Sequence, residues 1–532
     1  MIRYFLLPAW LILYHPLFAQ EIPADAIRAY EKIEPKAIRA HMRFLADDML
    51  EGRKPFSRGY QLATHYVAVQ FEEMGLKPGV GDSTYYQPVN LFKNKSSIEG
   101  TLNLQFNNET RTLVPGEDFL LVSHPEEIDQ SEKEIIFGGI GVQDPSMGFN
   151  DMEKLDVKDK YVILYYQHPV EESIEFNLKH MGDHRIFRLK DAGAAGIIMY
   201  IPERVRSRFT WENIKYFLNR QKYEAGYIDF PVFLMDWDII NSIFERLKPD
   251  LDAYESGKAI PAEIKVKAFL KPDININRDY EISVTSNVIA YLEGSDPELK
   301  NEFFIYTAHL DHEGIGPAIE GDSIYNGAYD NASGIAIMLE MAKTFMRLET
   351  PPKRSILFIA LSAEEMGLLG SEYYVSNPVV PLGNTSAVLN LDMFLMEKPL
   401  DEMVVLGKEL SGLGQMAYRV CELLDIRIVP DPLPEENIFM RSDHYNFARK
   451  GIPSLFLINS YHKSDINDPD SDVNYRWLKT IYHSPLDNFR ENIHYESGVI
   501  YGQINFLIGF LAAEQQEKVQ WNFDFEPEVV IN

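Results

Sequence analysis

An apolar run ends in two metal-binding residue types in the stretch Phe303-Phe304-Ile305-Tyr306-Thr307-Ala308-His309-Leu310-Asp311. The run is apolar apart from one threonine, which is typical of a strand that is buried on both faces. A histidine and an aspartate then follow at the carboxyl end of that strand. The pattern therefore indicates an α/β fold with chemically active side chains placed at strand ends.

The same alternation of apolar strand and helix continues from about Ser286 to the end of the chain. Strands are predicted at 287–292, 303–307, 356–361, 387–391, 403–406 and 454–458, and helices at 332–348 and 498–514. This rhythm predicts an α/β sandwich in which helices flank a mostly parallel central sheet. The helix at 498–514 is too short for a membrane span, so we expect no stable membrane insertion.

Four segments are predicted along the 532 residues. Residues 1–20 carry one charge, Arg3, before an apolar stretch, which is typical of a signal peptide cut near residues 19–20 and of a secreted or periplasmic protein. An uncleaved anchor is the alternative. Residues 21–114 form the N-terminal part of the main domain, residues 115–275 a β-rich insert, and residues 276–532 the rest of the main domain.

Charge and cysteine content exclude two classes of protein. The formal net charge of -29 disfavours a nucleic-acid partner. A single cysteine, Cys421, rules out an intramolecular disulfide framework, and we interpret it as a buried apolar residue.

Metal-ligating residue types follow the predicted strands or lie in nearby turns. They are His309 and Asp311, Asp330, Glu364 and Glu365, Asp392, and His483 and Asp487. Two imidazoles and three carboxylates, one of them bridging, are a donor set for two metal ions. So many charges at strand ends would destabilise a core without cations to neutralise them.

Adjacent glutamates cannot easily ligate the same ion. One of Glu364 and Glu365 is therefore expected to reach the metals while the other faces bound water as a general base. We expect Asp311 to hold the second ring nitrogen of His309, because it lies two residues on and on the same side of an extended chain. Asp487 is expected to serve His483 in the same way.

These motifs resemble the co-catalytic two-zinc exopeptidases, a family that includes bacterial secreted aminopeptidases, glutamate carboxypeptidase and the transferrin receptor. The resemblance covers nearly all of the mature chain. It rests on the segments 287–290, 309–312, 324–334, 362–367, 390–393 and 442–444, on His483, and on 50–53 and 75–78 near the N-terminus. The insert is similar to a protease-associated domain.

The resemblance implies a zinc aminopeptidase and assigns roles to residues. One zinc ion would be held by His309 and Asp392, the other by Glu365 and His483. Asp330 would bridge the two ions, and Glu364 would be the general base. Tyr482 resembles a residue that stabilises the oxyanion in some members, with a packed aromatic ring as the alternative. The chain departs from the family's usual residues at Tyr329 and Phe394, which affects the shape of the pocket.

The expected substrates are peptides with a free N-terminus, whose ammonium group would lie among the carboxylates. A carboxypeptidase or dipeptidase on the same fold is the alternative, and Arg204, Arg206 and Arg208 of the insert are candidate partners for a terminal carboxylate. A one-zinc glutaminyl cyclase is disfavoured by the large insert. A non-catalytic receptor is disfavoured because no ligand position is lost.

An acidic loop at 465–472 precedes His483. It resembles a calcium-binding loop only loosely, because Pro469 and Asp470 stand where an EF-hand has a ligand and a glycine. We expect a solvated loop. A lid over the site is the second interpretation, since loops of this length are often functional.

Overall fold

The computed structural model describes residues 22–525, except 82, 124, 147, 167–172, 183, 202–209, 221–222, 225–227 and 469. The predicted signal peptide, the basic residues Arg204, Arg206 and Arg208, and Pro469 lie outside the described residues.

The strands are numbered in chain order. They are β1 (Lys77–Pro78), β2 (Tyr86–Asn94), β3 (Ser97–Phe106), β4 (Glu109–Leu113), β5 (Phe119–Leu121), β6 (Lys133–Phe137), β7 (Gln143–Asp144), β8 (Phe149–Asn150), β9 (Tyr161–Tyr165), β10 (Gly196–Tyr200), β11 (Tyr223–Glu224), β12 (Val232–Met235), β13 (Ala268–Asn277), β14 (Tyr280–Leu292), β15 (Phe303–His309), β16 (Gly314–Ile319), β17 (Asp322–Tyr325), β18 (Ser355–Leu361), β19 (Thr385–Asn390), β20 (Glu402–Leu406), β21 (Arg427–Val429) and β22 (Ser454–Asn459).

The helices follow the same convention. They are α1 (Ala24–Tyr30), α2 (Pro35–Leu45), α3 (Arg58–Met74), α4 (Ile174–His180), α5 (His184–Asp191), α6 (Trp211–Arg220), α7 (Trp237–Phe244), α8 (Lys248–Glu255), α9 (Gly334–Phe345), α10 (Leu369–Ser376), α11 (Gly412–Leu423), α12 (His444–Arg449), α13 (Val473–Thr480) and α14 (Tyr495–Glu514).

A central sheet has the strand order β11-β2-β14-β18-β15-β19-β22-β20-β21, with β1 beside β14. Its middle strands β18, β15, β19 and β22 run parallel to one another. Strand β14 on one side and β20 on the other pair antiparallel with them. The predicted α/β sandwich is confirmed. The sheet as a whole is mixed, because the parallel arrangement is confined to strands joined through crossover segments that contain helices.

Helices cover both faces of this sheet, as the burial of β18 illustrates. Its side chains Ile356, Phe358 and Ala360 belong to a core cluster shared with α9 and α14. The alternate residues 357, 359 and 361 pack on the other face, with side chains from α10 and α12. Successive strand residues point to opposite faces, so a strand covered on both sides reads as a continuous apolar run.

A second sheet has the strand order β4-β3-β13-β6-β9-β10-β12-β5. Its strands come from residues between Ser97 and Asn277, and a separate core cluster fills it, with Phe137, Tyr165 and Phe233 among its members. The boundaries 115–275 for an insert, and its likeness to a protease-associated domain, stay predictions.

Two features of the sequence are visible in this architecture. Cys421 is 1% exposed, so its interpretation as a buried apolar residue is confirmed. Helix α14 begins three residues earlier than predicted and is covered along most of its length. Within the described residues, no helix combines the length and the apolar character that a membrane span requires.

Candidate metal centre

The predicted site residues meet at the carboxyl edge of the central sheet. His309 is the last residue of β15, Glu364 and Glu365 follow β18, and Asp392 follows β19. These three strands are neighbours and run parallel, so their carboxyl ends lie side by side. Further ligand types come from two loops: Asp330 precedes α9, and His483 follows α13.

Asp330 stands between the two predicted histidines. His309 Nε2 lies 3.2 Å from Asp330 Oδ1 and 3.1 Å from Asp392 Oδ1. His483 Nε2 lies 3.3 Å from Asp330 Oδ2 and 3.0 Å from Glu365 Oε2. The two oxygens of one carboxylate therefore face two different imidazoles, each of which has a further carboxylate beside it.

This cluster is largely shielded from solvent. His309 is 1% exposed and Asp330 3% exposed, whereas the His483 side chain is 35% exposed. Burial alone would raise the pKa of Asp330, but hydrogen bonds from His309 and His483 outweigh it and lower that pKa well below its usual range. The donor chemistry fits zinc, which binds imidazole nitrogen and carboxylate oxygen.

Glu364 differs from the other carboxylates of the cluster. Burial, helped by the neighbouring Glu365 and Asp392 carboxylates and opposed by His309, raises the pKa of Glu364 well above its usual range. Glu365 shows the opposite shift, because His483 and His312 outweigh burial and Asp330 and lower its pKa to about 2. Of the adjacent glutamates, Glu364 is thus the one suited to hold a proton.

Several backbone positions beside these side chains have positive φ angles. The values are 56° at Ala363, 49° at Met393 and 52° at His483. Left-handed backbone is uncommon for residues other than glycine and clusters at functional sites. At these positions it turns the chain sharply next to Glu364, Asp392 and His483.

The expected contact between Asp311 and His309 is made by a different group of Asp311 than predicted. His309 Nδ1 lies 3.2 Å from the Asp311 carbonyl oxygen, so the backbone of Asp311 rather than its carboxylate faces this ring. The carboxylate instead accepts hydrogen bonds from the backbone N–H groups of Glu364, at 3.1 Å, and Glu365, at 3.3 Å. The two backbone N–H groups that follow β18 need acceptors, and the Asp311 carboxylate supplies them.

The expectation for Asp487 is wrong in the same sense. Its carboxylate accepts from the backbone N–H groups of Tyr329, at 3.0 Å, and Asp330, at 3.0 Å, rather than from His483. These donors belong to an irregular loop that has no strand partner, and buried backbone donors require an acceptor. Asp487 therefore orients the loop that carries Asp330.

One histidine of the cluster was assigned no role from the sequence. His312 is fully buried, and its Nδ1 lies 2.6 Å from Glu365 Oε1 and 3.9 Å from Asp330 Oδ2. It belongs with Asp330 and Glu365 to a group of side chains able to hold a metal ion. Its position three residues after His309 was the available signal.

A chain of hydrogen bonds behind Asp392 was also missed. Thr307 Oγ1 donates to Asn390 Oδ1 at 2.7 Å, and Asn390 Nδ2 donates to Ser442 Oγ at 2.6 Å. Ser442 Oγ in turn donates to Asp392 Oδ2 at 2.5 Å. One oxygen of Asp392 is thus held by protein, which leaves Oδ1 directed towards His309.

Arg53 is a buried cation near the cluster that contacts no carboxylate in the described residues. Its guanidinium donates to the carbonyls of Leu310, at 2.9 Å, Gly327, at 3.0 Å, and Asn326, at 2.5 Å. Burial lowers its pKa to about 10, so it stays charged at neutral pH. Arg53 thus connects the N-terminal segment to the backbone that follows His309 and to the loop that carries Asp330.

A cavity of about 210 Å³ opens beside the cluster. Its lining includes His309, Asp330, Glu364, Asp392 and Tyr482. The Tyr482 ring stacks on the His483 ring, with centroids 3.8 Å apart. Burial first, and then the surrounding carboxylates, raise the pKa of Tyr482 well above its usual range, so its hydroxyl keeps its proton.

The two departures at Tyr329 and Phe394 are packed side chains. Tyr329 is buried, and its hydroxyl donates to Glu397 at 2.8 Å. Phe394 stacks on Tyr501 with centroids 4.0 Å apart. Both belong to the core cluster that includes side chains of α9 and α14.

The acidic loop at 465–472 organises itself through local contacts. Asp472 caps α13 by accepting from Tyr475 N at 3.0 Å, and it pairs with Lys398 at 2.8 Å. Asp465 and Asp468 accept from backbone groups two residues on. The candidate metal groups found within the described chain lie at the sheet edge instead. A lid function stays a prediction.

Several known proteins are similar to part of this chain. A probable zinc metalloprotease of Pyrenophora teres f. teres is 35% identical over 129 residues, 24% of this chain and 26% of that protein. Aminopeptidase YwaD of Bacillus subtilis is 29% identical over 241 residues, 44% of this chain and 45% of that protein. Leupeptin-inactivating enzyme 1 of Streptomyces exfoliatus is 36% identical over 189 residues, which are 34% of this chain and 37% of that protein. The chain thus spans between a quarter and a half of the length of these relatives.

Among solved structures, an aminopeptidase from Aneurinibacillus sp. strain AM-1 aligns with 95% of this chain and all of its own, at 17% identity and a TM-score of 0.45. The profile of peptidase family M28 matches residues 287–506, which include the proposed metal-ligating residues. Over this stretch the chain is therefore similar to peptidase family M28.

Proposed function

We propose that the protein is a secreted, zinc-dependent aminopeptidase that hydrolyses N-terminal residues from peptides. The observation that carries this proposal is the placement of the two Asp330 oxygens, one towards His309 and one towards His483. A carboxylate in this position suits the bridge between two metal ions. The match of residues 287–506 to peptidase family M28 and the names of the relatives, an aminopeptidase and a zinc metalloprotease, agree with it.

Two zinc ions fit the cluster. One would be held by His309 and Asp392, the other by His483 and Glu365, with Asp330 shared. Bound zinc would supply Lewis-acid chemistry, acidifying a water molecule and polarising the scissile carbonyl. His312 and Ser442 would hold Glu365 and Asp392 in place, as partners behind metal ligands commonly do.

Glu364 is proposed as the general base. It lines the cavity, and its raised pKa matches a carboxyl group that takes a proton and gives it back. In the proposed reaction Glu364 removes a proton from the attacking water and later delivers it to the departing amine. The backbone N–H of Glu364, bound to the Asp311 carboxylate, fixes the residue at the end of β18.

Tyr482 is proposed to stabilise the oxyanion. Its hydroxyl stays protonated and its side chain lines the same cavity as Glu364, so it is a hydrogen-bond donor near the reacting carbonyl. The stacked His483 ring holds the tyrosine ring in place.

The acidic character of the cavity favours a substrate ammonium group. Glu364, Asp392 and Asp330 line it together, and an ammonium placed among them gains charge-assisted hydrogen bonds. An acetylated N-terminus cannot make these bonds and would leave buried carboxylates unpaired. Secretion is proposed from the signal-like residues 1–20.

The test is a comparison of matched peptides with a free and an acetylated N-terminus. We expect kcat/KM to be about a hundredfold higher, or more, for the free peptides, since a lost charged contact costs about 3 kcal/mol. Equal turnover would contradict the proposal. Faster turnover of acetylated peptides with a free C-terminus would favour the carboxypeptidase alternative, and cleavage within long blocked peptides an endopeptidase.

A further inference from the structure

Two basic side chains line the cavity beside the metal centre. Arg441 comes from the 3₁₀ turn Ile438–Arg441, and Lys479 comes from α13. Both contact Glu436: Arg441 Nη1 lies 3.4 Å from Glu436 Oε2, and Lys479 Nζ lies 3.6 Å from Glu436 Oε1. Three charged groups from separate segments thus meet on the cavity wall, two positive and one negative.

Arg441 is closely linked to the reacting centre along the chain. It directly precedes Ser442, whose hydroxyl contacts Asp392. Its guanidinium lines the same cavity as Tyr482, and its positive charge acts to lower the pKa of the Tyr482 hydroxyl, against the larger effect of burial. The side chain of Arg441 is 52% exposed and lines the cavity.

The rest of the wall offers little that would recognise an anion. Most of it is apolar, and it includes Met393, Leu395, Ile438, Phe456, Ile458 and Leu478. The side-chain amide of Asn459, which also lines it, is engaged with the backbone of Leu395, at 2.7 Å and 2.9 Å. In a protein with a net charge of -29, two basic side chains in a cavity that is also lined by carboxylates are a selective feature.

We propose that Arg441, supported by Lys479, binds a carboxylate of the substrate, an inference that rests on the proposed aminopeptidase function. The substrate would place its ammonium group among the carboxylates, an apolar body along the wall, and the carboxylate on the guanidinium fork. The carboxylate comes either from an acidic N-terminal side chain or from the C-terminus of a dipeptide. Arg441 is then a specificity-determining residue.

The experiment measures kcat/KM on two matched substrate pairs. Glutamyl and glutaminyl anilides differ in the side-chain carboxylate, whereas leucylglycine and its C-terminal amide differ in the terminal carboxylate. We expect the carboxylate-bearing member of one pair to be favoured about fivefold, since the guanidinium is half exposed and its contact is partly screened. The pair that shows the preference identifies the source.

The variants assign the preference to Arg441. The measured ratio is kcat/KM of the carboxylate-bearing substrate divided by kcat/KM of its neutral partner. In Arg441→Gln this ratio should fall to about one in the pair that shows the preference, while Arg441→Lys should keep part of the preference. The control Arg427→Gln removes an exposed arginine that pairs with Glu402 away from the cavity, and it should change neither the ratio nor turnover. Lys479→Gln serves as the second test variant should Arg441→Gln not fold, and it should reduce the ratio.

Two results would overturn the inference alone: no carboxylate preference in either pair with active enzyme, or a preference that survives in both Arg441→Gln and Lys479→Gln. A chain loaded with zinc that turns over neither the leucine peptides nor the anilides would overturn the aminopeptidase proposal, and this inference with it.

Discussion

Buried charged groups are handled differently in the two sheets. In the second sheet, the Asp151 carboxylate accepts from Ile140 N at 2.8 Å, Gly141 N at 3.1 Å and Tyr254 Oη at 2.9 Å. Buried Arg185 likewise donates to the carbonyls of Tyr165, at 2.8 Å, and Tyr166, at 3.1 Å. These contacts of Asp151 and Arg185 are with neutral groups, and the buried Lys133 of β6 pairs with the exposed carboxylates of Asp129 and Asp159.

At the carboxyl edge of the central sheet, charged groups face one another instead. Asp330, Glu365 and Asp392 approach His309 and His483 and line or adjoin a cavity. Buried like charges are costly unless cations neutralise them. A buried charge that is hydrogen-bonded to nearby backbone groups has a structural role. Metal-ligating side chains that face one another at strand ends instead indicate a site for a ligand.

The largest difference is expected for Glu364→Gln. Removing the proposed general base should lower kcat by about a thousandfold, while zinc content and thermal stability stay near wild-type values, because Glu364 is not among the proposed ligands. Steady-state kinetics with metal analysis measures both. Glu349→Gln, which removes an exposed glutamate that pairs with Arg28, is the control. Near wild-type turnover of Glu364→Gln would show that another group is the base.

Asp151→Asn tests the structural charge through the pH dependence of stability. Burial, against opposing hydrogen bonds, raises the pKa of Asp151 from 3.8 to about 6. The folded state therefore holds a proton that the unfolded state releases first, so this group's contribution to stability falls by about 3 kcal/mol as pH rises from about 4 to about 6. Denaturant unfolding should show this fall in the wild type and not in the variant. Parallel pH profiles would break the comparison.

A smaller effect is expected for Ser442→Ala. Without the serine hydroxyl, one oxygen of Asp392 loses the donor that orients it, and zinc affinity should fall about tenfold. Competition with a metal chelator measures this affinity. The control is Ser454→Ala, which removes a buried hydroxyl that donates to the Ile452 carbonyl at the amino end of β22. It should leave the zinc affinity unchanged. Equal zinc affinity in the two variants would show that Ser442 does not support metal binding.

Residues that follow buried strands were predictable from the sequence. His309, Glu364 and Asp392 stand at the ends of continuous apolar runs, and parallel strands bring their carboxyl ends to one edge. Asp330 and His483 were identified because they lie in turns with ligating residue types and match a family pattern. Local periodicity and motif order therefore indicated the composition of the site.

The contacts behind these residues were not predictable, since long-range packing determines them. Ser442 meets Asp392 across 50 positions of sequence, and His312 meets Glu365 across 53. The Asp311 side chain has competing donors within reach, and sequence spacing does not say which it contacts. The mixed character of the sheet depends in the same way on which strands become neighbours.

The central claim is that the cluster at the sheet edge binds metal and that activity depends on it. The most direct measurement is the zinc content of the purified mature chain, taken together with peptide turnover before and after a chelator. We expect about two zinc ions per chain, loss of turnover on removal, and recovery when zinc is returned. A metal-free preparation with full activity would contradict the account.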